Sequence, residues 1–116
     1  MKDPDCIFCK IASGEIPSTV VLDRANVFAF RDVSPQAPTH ILIVPKEHVR
    51  DVSALGEEHA GLLDEMVAAA NELARAEAVD GSGYRLVLNV GPDAGQTVFH
   101  LHLHLMGGRP MAWPPG

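Results

Sequence analysis

Positive charge, aromatic residues and cysteine are all scarce in this 116-residue chain. Its 9 lysines and arginines stand against 15 aspartates and glutamates, for a formal charge of −6. A protein that coats nucleic acid needs a basic face for its phosphate contacts, so that class is excluded. A small nucleotide, which needs only a few donors, is not excluded. No apolar run approaches the roughly 20 residues of a membrane helix. Met1-Lys2-Asp3-Pro4-Asp5 is followed by no apolar signal region. The expectation is a cytoplasmic protein that binds neither nucleic acid nor membrane. Two cysteines, Cys6 and Cys9, are too few for a secreted disulfide framework. A C-x-x-C pair in a reducing compartment reads as a metal half-site or a redox pair. Repeats, low-complexity tracts and linkers are missing too, so residues 1–116 are expected to form a single domain.

The hydrophobic fraction, 47%, is enough for a core. A chain this small still buries a limited share of its surface, so a dimer would help it. Ile7 to Ile11, ending near Ser13-Gly14, reads as one short helix. Val20-Val21-Leu22 and Val27-Phe28-Ala29-Phe30 read as strands around a turn at Asp23 to Asn26. Ser34-Pro35-Gln36-Ala37-Pro38 is a rigid loop, because two prolines fix φ. His40 to Val44 is apolar and β-branched, as in a central strand. Leu62, Leu63, Met66, Val67, Ala70, Leu73 and Ala74 share one face of a long helix expected from Glu57 to Val79. Tyr84 to Val90 and Val98 to Met106 complete five strands. Short connections favour an antiparallel sheet, giving an α+β domain with one long and one short helix.

The informative segment is His100-Leu101-His102-Leu103-His104-Leu105. Strand side chains alternate between faces, so the three histidines point one way and the leucines the other. Three readings compete: a polar strand face that happens to use histidine, a metal grip, and covalent catalysis by imidazole, which is a good nucleophile near neutral pH. The preceding loop, Gly91-Pro92-Asp93-Ala94-Gly95-Gln96-Thr97, has the glycines, amide and hydroxyl of half a phosphate site. A plain hairpin connection would look similar.

His100-x-His102-x-His104 resembles the signature of the histidine-triad (HIT) superfamily. The likeness extends to Asp32-Val33-Ser34-Pro35-Gln36-Ala37-Pro38-Thr39-His40, Val44-Pro45-Lys46-x-His48, Gly107-Gly108-Arg109-Pro110-Met111 and Trp113-Pro114-Pro115-Gly116. These look like the Hint branch of that superfamily and cover essentially the whole chain. The resemblance implies a HIT fold and a homodimer whose two sheets join. It implies an adenosine 5′-monophosphoramidase-type hydrolase acting on purine nucleoside 5′-phosphoramidates, derivatives of AMP or GMP, with no organic cofactor. His102 would attack the α-phosphorus, and water would then cleave the nucleotidyl-histidine. The His100 carbonyl would accept a hydrogen bond from the His102 ring and fix its tautomer. His104, Thr97, Gln96 and Asn89 would hold the phosphate. Asp32 would bind the ribose. Ile7, Phe8, Ile11, Phe30 and Val33 would form the base pocket, although Ile7 and Ile11 read equally well as core. His40 would support the catalytic histidines, and Trp113 would reach the partner's site.

Arg31 and Ala112 stand where the eukaryotic pattern has histidine, and Val90 where an acidic residue is usual. Like bacterial members with C-x-x-C, the chain would bind one zinc through Cys6, Cys9, His48 and His100. Two thiolates and two imidazoles close a tetrahedron with no open position, which marks a structural site. Buried free cysteines are the plainer alternative. A thioredoxin-like role is disfavoured because its βαβ surroundings are missing. His59, Lys46 and Arg50 read as surface groups. The competing functions are a dinucleoside polyphosphate hydrolase like the Fhit branch, a nucleotidyl transferase, a nucleotide-binding or scaffold protein with weak catalysis, and a zinc-dependent hydrolase. The Hint-like tail disfavours the first. His104, where the transferases carry glutamine, disfavours the second. The intact triad disfavours the third, and a chelator would test the fourth.

Overall fold

The structure is a computed structural model that describes Asp3 and residues 5–116; Met1, Lys2 and Pro4 lie outside the described residues. It holds helices α1 (Ile7–Ala12) and α2 (Leu62–Ala76). Its strands are β1 (Val20–Asp23), β2 (Val27–Arg31), β3 (Thr39–Pro45), β4 (Tyr84–Val87) and β5 (Leu103–Gly107). They form one antiparallel sheet in the order β1-β2-β3-β5-β4. The α+β architecture expected from the sequence is therefore observed. β3 is central, and every residue of it is buried. That explains why it reads as a continuous apolar run rather than an alternating one.

The two faces of the sheet are covered unequally. Met66, Ala69, Ala70, Leu73 and Ala74 of α2 recur at helical spacing and pack on Val27, Ala29, Ile41, Ile43, Leu103 and Leu105. The alanines of this stripe let helix and sheet approach closely. Leu105 is fully buried in this layer. Truncating it to alanine would cost about 2–5 kcal/mol. The opposite side chains of β2 and β3, Phe28, Phe30, Leu42 and Val44, pack under Phe8 and Ile11 of α1. Because α1 is only six residues long, it covers part of that face.

Several expected boundaries shift. α2 starts at Leu62, not Glu57, because Gly61 takes φ +85° and breaks the helical path. Glu57–His59 forms a separate short turn. α2 ends at Ala76, where Ala78 adopts φ 57°. The Ala78 and Val79 amides donate to Arg75 and Ala74 at 3.1 and 3.0 Å, closing a Schellman motif without glycine. β4 stops at Val87 rather than Val90. β5 starts at Leu103 rather than Val98. His100 and His102 thus approach the sheet on a segment tied by Leu101 N–H to Val49 O at 2.6 Å. The leucines of that segment stay buried, so the alternation of faces survives outside the ladder.

Candidate active site and metal centre

His102 leaves the sheet half-exposed, with its ring edge-on to Phe8 at 5.0 Å between centroids. Its Nδ1 lies 2.7 Å from the His100 carbonyl oxygen. A carbonyl only accepts, so Nδ1 carries the proton and donates. Nε2 is then left with its lone pair, the form in which imidazole is a nucleophile.

A second set of rings runs head to tail beside it. On β3 and β5, Leu42 pairs with His104 and His40 with Met106, which puts His40 and His104 on the α1 face of the sheet. The Gln36 amide donates to His40 Nδ1 at 3.0 Å. His40 Nε2 must then hold a proton, and it lies 2.9 Å from His104 Nδ1 and 3.4 Å from Asp32 Oδ2. Donation to His104 Nδ1 leaves His104 with its proton on Nε2. Burial pushes His104 down to about 4, helped by the nearby His102 and His40 rings. Burial also lowers His40, against the opposing pull of the Asp32 carboxylate. His104 is therefore a neutral hydrogen-bond donor at pH 7.

His100 faces a different set of groups. It is wholly buried, and its Nε2 donates to the Pro45 carbonyl at 2.8 Å. Its Nδ1 lone pair points at Cys6 Sγ (3.2 Å), Cys9 Sγ (3.5 Å) and His48 Nδ1 (3.2 Å). Cys9 Sγ is also 3.6 Å from His48 Nδ1. Burial pushes the Cys6 thiol up and lowers His100 to about 4. The donor spacing fits a metal. A tetrahedron built on ordinary zinc bonds has N–N edges of about 3.3 Å and S–N edges of about 3.6 Å. The observed edges, 3.2 Å and 3.2 to 3.6 Å, are close to these. A single proton can satisfy only one such edge, whereas one cation satisfies all of them. Cys6 also caps α1 by accepting from the Cys9 amide, so the cluster joins the helix to the sheet.

The remaining expected site residues fall in several places. Asp32 is largely buried, and its Oδ1 accepts from the Ser34 amide at 2.8 Å. Phe8, Ile11 and Phe30 are packed together, whereas Ile7 is 46% and Val33 93% exposed. The expected apolar pocket is thus a packed wall with two exposed flanks. Thr97 is exposed on a cleft it shares with Cys6, Ile7 and His48. Asn89 lines another cleft with Arg85 and Arg109. Trp113 is 83% exposed.

Gln96 is a correction: its amide does not face a phosphate site. It is buried, accepts from Gly91 N–H (2.8 Å) and donates to the Arg50 and Val98 carbonyls (2.9 and 3.3 Å). It therefore clamps the loop from the inside. His59 is a second correction. Its side chain is only 12% exposed and is held by Glu47 at 3.0 Å. Arg31, which stands where the eukaryotic pattern has histidine, pairs with Glu77 at 2.7 Å. Sequence reasoning misses the Gln36 amide and the Pro45 carbonyl. Both are backbone groups, and residue type says nothing of where they point.

The family model described as HIT domain matches residues 13–111. The chain is 48% identical over 118 residues to the adenylylsulfatase HINT1 of Arabidopsis thaliana, covering 98% of this chain and 78% of that one. It is 47% identical over 118 residues to a 14 kDa zinc-binding protein of Zea mays, covering 100% and 91%. The crystal structure of a HIT family hydrolase from Legionella pneumophila Philadelphia 1 superposes with a TM-score of 0.94 at 53% identity, covering 97% of this chain and 100% of that one.

Proposed function

The chain belongs to the HIT domain family, and we propose that it is a nucleotide hydrolase that cleaves the P–N bond of purine nucleoside 5′-phosphoramidates. The observation that carries this reading is the 2.7 Å contact between His102 Nδ1 and the His100 carbonyl, which frees Nε2 for attack. His102 Nε2 forms a bond to the α-phosphorus. The P–N bond of the substrate breaks, and the departing nitrogen takes up one proton to leave as an amine. Water then adds its oxygen to phosphorus, the bond to His102 breaks, and the water's proton returns to solvent. The products are a nucleoside monophosphate and an amine. The His100 carbonyl stabilises the imidazolium character that His102 acquires. His104 donates Nε2–H toward a phosphoryl oxygen as charge builds there. His40, held by Gln36, keeps His104 in that tautomer.

Asp32 binds the ribose hydroxyls, and Phe8, Ile11 and Phe30 with Ile7 and Val33 receive the purine. Thr97 and Asn89 add phosphate contacts, and Trp113 extends toward a partner's site in a homodimer. Cys6, Cys9, His48 and His100 would hold one zinc ion, which with four protein ligands and no open position supplies a cross-link rather than a reactant. The zinc-binding relative and the adenylylsulfatase relative agree in kind with this reading. A single domain over residues 1–116 and a cytoplasmic location belong to the same proposal.

The test is amine release from a fluorogenic adenosine 5′-phosphoramidate, wild type beside His102→Ala. Turnover by the wild type with a loss of several orders of magnitude in the variant is expected, the scale for deleting a nucleophile. Equal turnover by both proteins would remove His102 from the mechanism.

A further inference from the structure

We propose that Glu77, at the C-terminus of α2, is a positioning residue for the ribose subsite. Through Arg31 and Thr39 it holds Asp32 and His40 in place from the opposite face of the sheet; the inference rests on the ribose-binding reading of Asp32 above. Successive strand residues point to opposite faces. Arg31 follows Val27 and Ala29 onto the α2 face, and Thr39 precedes Ile41 and Ile43 on that same face. Asp32 and His40, each the next residue along, therefore turn toward the α1 face and the histidines. The Asp32 N–H donates to the His40 carbonyl at 3.0 Å, which extends the β2–β3 pairing one step beyond Arg31. Past that step the side chain of Val33 is 93% exposed. The hold on this end of β2 thus comes from the Arg31 side.

Glu77 supplies that hold. Its two carboxylate oxygens accept from the two terminal nitrogens of Arg31 at 2.7 and 3.0 Å. Such a fork-to-fork pair fixes the plane of the guanidinium as well as its position. The same carboxyl is held below the ordinary carboxylate value, first by the bonds from Arg31 and, against its burial, also by one from the Thr39 hydroxyl. One side chain of α2 therefore grips the last residue of β2 and the first of β3. Its location is otherwise unfavourable. Glu77 caps the C-terminus of α2, where the helix dipole favours a cation. A carboxylate there is accounted for by what it binds. On the other face, Asp32 Oδ1 accepts from the Ser34 amide at 2.8 Å and Oδ2 lies 3.4 Å from His40 Nε2. A carboxylate has about four acceptor sites, so sites remain for the ribose hydroxyls as long as the two strand ends keep their spacing.

The experiment titrates AMP and 2′,3′-dideoxy-AMP into the protein by calorimetry, in wild type, Glu77→Gln and Arg31→Met, with melting curves beside them. The ligands differ only in the ribose hydroxyls that Asp32 receives. Wild type is expected to bind AMP about tenfold tighter, the scale of hydrogen bonds to a charged group. Glu77→Gln keeps the size of the side chain and is expected to lower that ratio to about threefold or less, a coupling usual within one network. Arg31→Met, which breaks the pair from the other side, should match it. A merely structural loss weakens both ligands alike, so a ratio unchanged in both variants overturns the proposal. In an Asp32→Asn background, Glu77→Gln should change the ratio no further; a further drop would show that Glu77 does not act through Asp32 and would also overturn it. Equal affinities in wild type would withdraw the ribose role of Asp32 and this proposal with it, while turnover of the phosphoramidate is judged separately. Should that turnover be missing, the phosphoramidase reading fails and the binding ratios still decide the role of Glu77.

Discussion

Two clusters among the described residues have the makings of a metal site. Cys6, Cys9, His48 and His100 form one, and Asp32, His40 and His104 the other; in each the ligand-type atoms lie within 4.8 Å of one another. They differ in the backbone group behind the ring. Behind His100 stands a carbonyl, that of Pro45. It takes the Nε2 proton and turns the Nδ1 lone pair inward, toward two thiols and a second imidazole. Behind His40 stands an amide, that of Gln36. It occupies the Nδ1 lone pair and turns a proton inward. A metal at His40 Nε2 would have to displace that proton, leaving either a lost amide bond or an imidazolate. The first cluster is thus arranged to be cross-linked by a cation and the second to hand on a hydrogen bond. The same side chain does opposite work according to one main-chain atom.

The largest effect should come from breaking the first cluster. Structural zinc contributes folding free energy directly, and its loss unfolds small domains outright. Cys9→Ser, or a strong chelator on the purified protein, is expected to lower Tm by more than about 10 °C. The equivalent cut in the second cluster, His104→Gln, should shift Tm by only a few degrees while removing most turnover. Chemistry in the chelated protein should fall in step with loss of fold. An unchanged melting curve after chelation, with metal analysis confirming removal, would sink the claim that the first cluster is a metal centre. Activity abolished with the fold intact would point to a catalytic metal and against His102 as nucleophile.

Much of this contrast between clusters is legible in the order of residues along the chain. Leu101, Leu103 and Leu105 mark a buried face by alternation, which puts His102 and His104 on the other. Met66, Ala70, Leu73 and Ala74 mark the helix that covers the leucine face. Strand ends are less legible. Val98 to His102 has the alternation of a strand, but His100 is drawn into the cysteine cluster before the ladder begins. The start of α2 is obscured because Glu57 and Glu58 suit a helix N-terminus, while the break depends on the conformation of Gly61. Gln96 misleads for a related reason. An amide beside glycines suggests phosphate, and only the fold reveals that both its ends are already used by the chain.

The pH dependence of stability gives a smaller effect, to which the second cluster contributes through His104. His104 has its value pushed down to about 4 in the folded chain, against the ordinary 6.5. Between those values the unfolded chain binds a proton that the native chain refuses. Stability therefore holds above about pH 6.5 and falls as pH drops toward 4. His40, also lowered, acts in the same direction. For His104 the loss is about 1–2 kcal/mol after allowance for its partial exposure. Denaturant midpoints measured from pH 7.5 to 4.5 should show it as a slope, and His104→Gln should flatten part of that slope. Equal slopes in wild type and variant would mean that His104 is not held neutral.

The smallest effect concerns the position of one proton on each of three imidazole rings and no change in stability at all. His40 and His104 should both be Nε2–H tautomers, the first because Gln36 donates to its Nδ1 and the second because His40 does. His102 should be the opposite, Nδ1–H, because its Nδ1 faces the His100 carbonyl. Nitrogen-15 shifts of the imidazole rings at pH 7.5 distinguish the two forms directly. The expected spectrum has neighbouring rings, 5.0 Å apart between centroids, with opposite tautomers. One then presents a lone pair and the other a proton to the same phosphoryl group. Were His104 found as Nδ1–H, it could not accept from His40, and the Gln36 amide would have no say in the chemistry. Were His102 found as Nε2–H, its 2.7 Å contact with the carbonyl could not be a hydrogen bond, and the nucleophile would have to be sought elsewhere. Finding both as expected would show that two backbone groups, neither visible as a residue type, set acceptor and donor on a pair of otherwise identical side chains.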